Sequence, residues 1–379
     1  MGRSVGMFLS WLIVASAIDA ASAEPPAFEL AFIGEATLRT GSRFAGTEVG
    51  GISGIDFVPG DGTYVALSDD GSRVDPARFY RLAIDLDDGR LDAGDVRVVG
   101  HAMLHGPAQQ AWPRNSVDPE GVRQVDGERL YWVSEGNARA GIGPGVFESG
   151  VDGRFVREFT LPPYYRPGGG RGIRHNLAFE SLALSHDRQT LFVALENALL
   201  QDGPAADVTH PTRVRVLQLD IDSGEALAEY VYQVEPVPLD ALPPMARETN
   251  GLVELLAVDE RHFIAVERSF ARGVGVGVRL YLAGLDGADD VLGEPALEVV
   301  PNVKTMTKVL LHDLGRLGVL LDNIEAATFG PRLADGRRTL ILVADNNFRE
   351  FQVTQILAFA LLDQPVAVVP AVAGDPFGR

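Results

Sequence analysis

The chain has 379 residues, 46% of them hydrophobic, with no cysteine and a formal net charge of −19. Without cysteine there is no disulfide framework, no thiolate metal site and no cysteine nucleophile. The acidic balance, with lysine only at Lys304 and Lys308, lacks the basic footprint of a nucleic-acid binder. It suits a cation-binding protein, or one kept soluble by its charge.

The N-terminus carries Arg3, an apolar stretch from Met7 to Ile18 and the small residues Ala21-Ser22-Ala23 ahead of Glu24. That order predicts a signal peptide over residues 1–23, too short in its apolar part to span a bilayer. An uncleaved N-terminal anchor is the alternative. No cysteine follows the apolar run, which excludes a lipid-anchored form. Residues 24–379 are expected to form a single domain, periplasmic or secreted, monomeric and free of the membrane once the leader is cleaved.

From residue 28 onward, short runs of β-branched, aromatic and leucine residues alternate with Gly, Asp and Pro. A strand is expected over residues 28–38. The next unit is Gly51-Ile52-Ser53-Gly54-Ile55-Asp56-Phe57-Val58, a turn at Pro59 to Gly62, then Thr63 to Ser68, closed by Asp69-Asp70-Gly71. Two strands flanking a Gly/Asp turn are the mark of a hairpin. Further strands are expected over residues 78–86 and 95–102.

The hairpin then returns four times. Asp118-Pro119-Glu120-Gly121 leads through Asp126-Gly127 to Leu130 to Asn137, and Phe179-Glu180-Ser181-Leu182 through His186-Asp187 to Leu191 to Asn197. Thr249-Asn250-Gly251-Leu252 leads through Asp259-Glu260 to His262 to Glu267, and Ile324-Glu325-Ala326 through Asp335-Gly336 to Leu340 to Asn346. With Ser53, Glu120, Glu180, Asn250 and Glu325 taken as equivalent, the interval is about 60 to 75 residues, a repeat architecture. Each interval leaves room for two more strands, such as 213–220 and 228–234.

Four antiparallel strands per repeat, with no helix between them, predict an all-β fold: a β-propeller of about five four-stranded blades, or six if one blade lacks the motif. Only one strand, over residues 355–362, follows the fifth hairpin. The N-terminal strand is therefore expected to complete the last blade and close the ring. A pair of β-sandwich domains would use similar strands. The segment Pro162 to Arg174 is expected to be a long loop within one repeat, and Gly273 to Gly277 a loop between strands.

Acids recur at two positions of the hairpin. Glu120, Glu180 and Glu325 open the first strand; Asp69, Asp70, Glu135, Glu196, Glu267 and Asp345 close the second. These two ends of an antiparallel hairpin lie side by side, so radial symmetry would gather the acids at one channel mouth. Oxygen-only donors, with Asn137, Asn197, Asn250 and Asn346 adding amide carbonyls, fit a hard cation such as calcium. Solvated turn residues are the alternative, although glutamate is a poor turn former.

Arg114-Asn115 precedes Glu120, and Arg174-His175 precedes Glu180, by the same distance; Arg247 stands just ahead of Asn250. Arginines on that rim could clamp a phosphate or carboxylate, or simply neutralise the acids. His175 is the one histidine within the repeated motif and the best acid–base candidate. No Gly-x-Ser-x-Gly, Ser-x-x-Lys, P-loop or His-Glu-x-x-His motif occurs.

In Ser53-Gly54-Ile55, Ser68-Asp69-Asp70-Gly71, Asp118-Pro119-Glu120-Gly121, Glu180-Ser181-Leu182-Ala183, Asn250-Gly251 and Ile324-Glu325-Ala326, the chain resembles the phytase-like, "esterase-like activity of phytase" family of exported bacterial proteins. The resemblance spans roughly residues 45–362. It implies a propeller related in shape to calcium-dependent phytases, with an acidic, metal-loaded channel mouth. Those enzymes are six-bladed and use lysine-rich phosphate sites; five repeats and two lysines depart from that pattern. The expected activity is metal-assisted hydrolysis of an ester or phosphoester, on an anionic small molecule. A non-catalytic propeller that binds a ligand or partner, with calcium as a structural ion, is the alternative.

Overall fold

The computed structural model describes residues 25–238, 248–300 and 302–363. The expected signal peptide and Arg247 lie outside the described residues. The described chain is all-β, broken only by short 3-10 turns.

Strand β1 (Phe28–Leu38) is followed by a small ribbon, β2 (Arg43–Phe44) with β3 (Thr47–Glu48). Blade one is β4 (Ile52–Val58), β5 (Thr63–Ser68), β6 (Arg78–Ile84) and β7 (Val96–Met103), running from the axis outward. Blade two is β8 (Pro119–Val125), β9 (Arg129–Ser134), β10 (Gly145–Gly150) and β11 (Phe155–Glu158). Blade three is β12 (Phe179–Leu184), β13 (Thr190–Leu195), β14 (Thr212–Asp220) and β15 (Ala226–Val234). Blade four is β16 (Glu248–Ala257), β17 (His262–Ala271), β18 (Gly275–Gly284) and β19 (Thr307–Asp313). Blade five is β20 (Asn323–Gly330), β21 (Thr339–Asp345) and β22 (Thr354–Asp363), with β1 as its outermost strand.

All pairings within the blades are antiparallel, and each inner strand packs against the inner strands of both neighbouring blades. The fold is a five-bladed β-propeller. Neither a sixth blade nor a pair of sandwiches is needed. The closure is the expected one: β1 pairs with β22 from Phe28 opposite Asp363 to Leu38 opposite Thr354. Two details differ from expectation. Gly275 to Gly277 belong to β18, and the long segment 162–174 holds a 3-10 turn at Pro163–Tyr165.

The second strands read TYVALS, RLYWVS, TLFVAL and TLILVAD, and they are buried almost throughout. They do not alternate because each blade is covered on both faces by its neighbours, so both side-chain rows need apolar residues. The hydrophobic cores are accordingly interblade layers. One joins blades one and two around Trp132 and Phe79, another blades five and one around Ile55 and Ile356. Each large side chain withdrawn there contributes about 1.5–3 kcal/mol.

The axis is not an open tube. Arg123 of β8, almost fully buried, sends Nη1 to the carbonyl of Ile55 at 3.0 Å and Nη2 to that of Leu255 at 3.2 Å. Its charge is met by Glu254 at 3.2 Å. One side chain from blade two thus ties backbone from blades one and four across the axis.

Candidate metal centre at the channel mouth

The site begins with a backbone irregularity that four blades share. In the pairing of first and second strands, the register slips at Ser53, at Glu120-Gly121, at Glu180 and at Glu325. A bulged residue leaves the ladder and its side chain is re-aimed. The bulges bring these four side chains toward one another: Ser53 Oγ donates to Glu325 Oε2 at 3.3 Å, the charge of Glu180 bears on Glu120, and that of Glu325 bears on Glu180.

The second layer lies at the rim end of the second strand in blades one, two, three and five. The N–H groups of Asp69, Glu135 and Glu196 donate to the carbonyls of Gly51, Asp118 and Ala178 at 2.7, 3.0 and 2.6 Å. Asp345 stands opposite Asn323 in the same register. The two layers meet as two sets of three carboxyls, Asp118 with Glu120 and Glu135, and Glu135 with Glu180 and Glu196. Within each set the oxygens lie within 4.8 Å of one another. Glu135 belongs to both.

Packed acids this deep resist ionisation. Burial, followed by the neighbouring carboxylates, pushes Glu120 and Glu180 well above the usual range. Glu135 also rises well above it through burial, against the N–H of Ala178 that holds it down. Asp118 is pushed up to about 6 by burial, which outweighs Arg73, and Asp345 to about 8 by burial and Glu325. Asp69 is raised by burial and by Asp345, and its Oδ1 is buried with no hydrogen-bond partner among the described residues. Two guanidinium groups enter the cluster. Arg73 reaches Asp118 at 3.2 Å and Asp69 at 3.4 Å; Arg268 reaches Glu196 at 3.2 Å and Glu325 at 3.3 Å. An oxygen-only, buried and under-neutralised donor set of this kind fits a hard divalent cation, calcium in particular.

Of the acids expected from sequence, Asp69, Glu120, Glu135, Glu180, Glu196, Glu325 and Asp345 come together here. Asp70 does not. Its carboxylate is occupied by Arg78 at 2.7 Å and by the N–H groups of Arg73, Val74 and Asp75. Burial opposes its charge, but these donors overcome it and hold Asp70 below the usual range. Glu267 does not either. It faces the seam between blades three and four, bonded to Tyr232 at 2.8 Å, Asn250 at 3.0 Å and Lys308 at 2.6 Å.

The reason lies in register. Strands β16 and β17 run on past the rim, pairing Glu248 with Ala271, so the end of the strand no longer marks the rim. The bulge of blade four falls at Val253 rather than Asn250, and the residue in the position of Asp69, Glu135, Glu196 and Asp345 is Arg268, opposite Gly251. A one-residue slip sends a side chain to the other face. The amides expected as ligands are also engaged: Asn137 Oδ1 accepts from Ala140, Asn197 Oδ1 from Ala206, and Asn346 Oδ1 from Gly51 and Phe348. Asn250 donates to Glu235 and Glu267.

Beside Asp118 opens a cleft of about 420 Å³, lined by Arg73, Asn115, Asp118, Asn137, Arg139, His175 and Asn176 among others. His175 is therefore at the mouth, exposed, with its pKa lowered by partial burial and by Arg139. Arg174 is turned away, donating to the carbonyls of Ala198 at 2.9 Å and Gly203 at 2.5 Å. Arg114 is exposed and only its neighbour Asn115 lines the cleft. The arginines of the cleft are Arg73 and Arg139, which sequence reading passed over. Asp118 was visible only as the first residue of Asp118-Pro119-Glu120, and Arg268 only as the residue after Glu267.

Solved structures similar to this chain match it at low identity. They include the periplasmic gluconolactonase PpgL of Pseudomonas aeruginosa, at 13% identity over 85% of this chain and 87% of that one, with a TM-score of 0.38. The RRP9 WD40 repeats share 12% identity over 88% and 100%, TM-score 0.37, and the Dos1 propeller 10% over 83% and 68%, TM-score 0.34. No curated protein matches the chain. The family model described as "Phytase-like: Esterase-like activity of phytase" matches residues 47–348, a span that takes in every hairpin contributing to the mouth. With that match over most of its length, the chain belongs to the phytase-like family.

Proposed function

We propose that the protein is an exported, calcium-assisted hydrolase of an ester or phosphoester, acting on an anionic small molecule in the cleft above the acidic mouth. The observation that carries this reading is the sharing of Glu135 between two three-carboxyl sets that adjoin a cleft lined by arginines and a histidine. Calcium held by Asp118, Glu120, Glu135, Glu180 and Glu196 would supply Lewis-acid polarisation of the reacting ester oxygen. Arg73 and Arg139 orient the anion through charged hydrogen bonds. His175, neutral at pH 7 because its pKa is lowered, is available to take a proton from water at the cleft wall. Family membership supports the hydrolase class. The N-terminal pattern supports export, and no helix among the described residues is long and apolar enough to cross a membrane.

The test is turnover of aryl-ester and phosphomonoester panels by the purified protein, with calcium and with chelator. Calcium-dependent turnover that Glu135→Gln abolishes supports the reading. Thermal stabilisation by a panel member without turnover would instead make this a binding propeller.

A further inference from the structure

We propose that the buried Asp70–Arg78 pair is a positioning device for Arg73, folding the loop between β5 and β6 so that this arginine is held at the cleft. This rests on reading the cleft as an anion site in which Arg73 orients the ligand. One carboxylate organises the loop. Asp70 Oδ1 accepts from the N–H groups of Arg73 at 2.7 Å and Val74 at 3.1 Å, and Oδ2 from that of Asp75 at 2.8 Å. Three consecutive N–H groups thus converge on it, and bonds of this kind to an ionised acceptor are about twice as strong as neutral ones. Ser72, just ahead of them, has φ of +60°, a conformation that a non-glycine residue keeps only where its surroundings impose it. Its N–H donates to the carbonyl of Asp70 at 2.6 Å, and its Oγ accepts from the N–H of Ala77 at 3.1 Å.

Arg78, the first residue of β6, fixes Asp70 in turn. Both side chains are fully buried, with Nη1 of Arg78 2.7 Å from Asp70 Oδ2. Nη2 donates to the carbonyl of Glu48 at 2.7 Å and Nε to the Tyr80 hydroxyl at 2.6 Å, which ties the guanidinium to the ribbon of β2 and β3. The loop is also fitted to blade two. The N–H of Asn115 donates to the carbonyl of Gly71 at 2.7 Å, and a Cβ on Gly71 would lie 2.2 Å from the carbonyl oxygen of Val117. What projects from this scaffold is the side chain of Arg73, 41% exposed and part of the cleft wall. Its Nη2 donates to the carbonyl of Asp69 at 3.0 Å and meets Asp118 at 3.2 Å, whereas Nη1 and Nε donate to no group among the described residues. A free arginine has much rotamer freedom to lose on binding an anion. Fixing its backbone and Nη2 beforehand removes part of that loss.

The experiment is calorimetric titration of the full chain with sulfate, an oxyanion that carries no ester bond. Arg73→Ala is expected to weaken sulfate binding about 10-fold or more, the loss of a charged hydrogen bond. Asp70→Ala combined with Arg78→Met removes both charges of the pair, so neither is left alone in the core. This pair variant is expected to weaken sulfate to the same extent. Added to Arg73→Ala the pair change should have no further effect, whereas added to Arg139→Ala it should act in full. Wild-type affinity in the pair variant overturns the proposal and leaves Arg73 as the anchor of the anion. So do losses that add in full to Arg73→Ala, since those mark a general disturbance of the mouth. Should the pair variant not fold, Asp70→Asn, which keeps Oδ1 as an acceptor and loses Oδ2, decides by the same comparisons. Sulfate that binds wild type and Arg73→Ala equally, or binds neither, sinks both the proposal and the reading of the cleft on which it rests.

Discussion

Glu267 and Arg268 are adjacent in the chain and serve opposite faces of blade four. Glu267 pairs with Lys308 in the seam against blade three, while Arg268 enters the channel mouth and meets Glu196 and Glu325. The alternation of a β-strand alone separates a structural ion pair from the charge balance of the site.

Glu135 is common to both carboxyl sets, so Glu135→Gln should be the most damaging single change to calcium binding. We expect affinity to fall by more than about 100-fold, beyond the range seen for partners one step removed from a metal. In chelator the same variant should be more stable than wild type, because it relieves a buried carboxyl of its neighbours. Calorimetric titration and melting curves with and without calcium check the two directions.

The metal-free protein should lose stability as pH rises. A carboxyl whose folded pKa is raised keeps its proton in the folded chain after the unfolded chain has released it, so unfolding becomes easier with increasing pH. The window opens near the unfolded carboxylate pKa of about 4 and takes in about 6 for Asp118 and about 8 for Asp345. Calcium should flatten this slope. Melting temperatures from pH 4 to 9, in chelator and in calcium, would contradict the site if the metal-free slope were flat or rising.

The cleft residues should separate by kinetic signature. Arg139→Ala is expected to raise KM by about 10- to 100-fold, the loss of one charged hydrogen bond, with kcat nearly unchanged. His175→Ala should lower kcat by about 10²–10⁴-fold. Arg174→Ala should leave both constants alone and lower the melting temperature, since its donors hold the loop carbonyls of Ala198 and Gly203. Steady-state kinetics on whichever ester proves active decide among these.

The closing strand is locked to blade one at Gly34. Its φ is +135°, and a Cβ there would lie 2.1 Å from the carbonyl oxygen of Leu91, whose N–H donates to Ile33. Gly34→Ala should therefore destabilise the fold by about 1–3 kcal/mol, measured by denaturant unfolding, whereas Gly60→Ala, at a site with open space around it, should not.

Local pattern determined much of this protein. Hairpins with Gly/Asp turns, repeated five times, dictate strand pairs, and a lone strand at each end dictates that the two must meet, as β1 and β22 do. That Glu120, Glu180 and Glu325 gather at one mouth was legible because glutamate is out of place in a turn. Tertiary structure alone decided the rest. The bulges that re-aim those glutamates, and the overrun of β16 and β17 that puts Arg268 where the other blades carry an acid, show only in the register of the folded strands. Asp70 and Arg174 look like site residues in the chain, yet the folded molecule spends them on Arg78 and on loop carbonyls. A carboxylate's role depends on which donors reach it first, and that is a matter of three-dimensional contact.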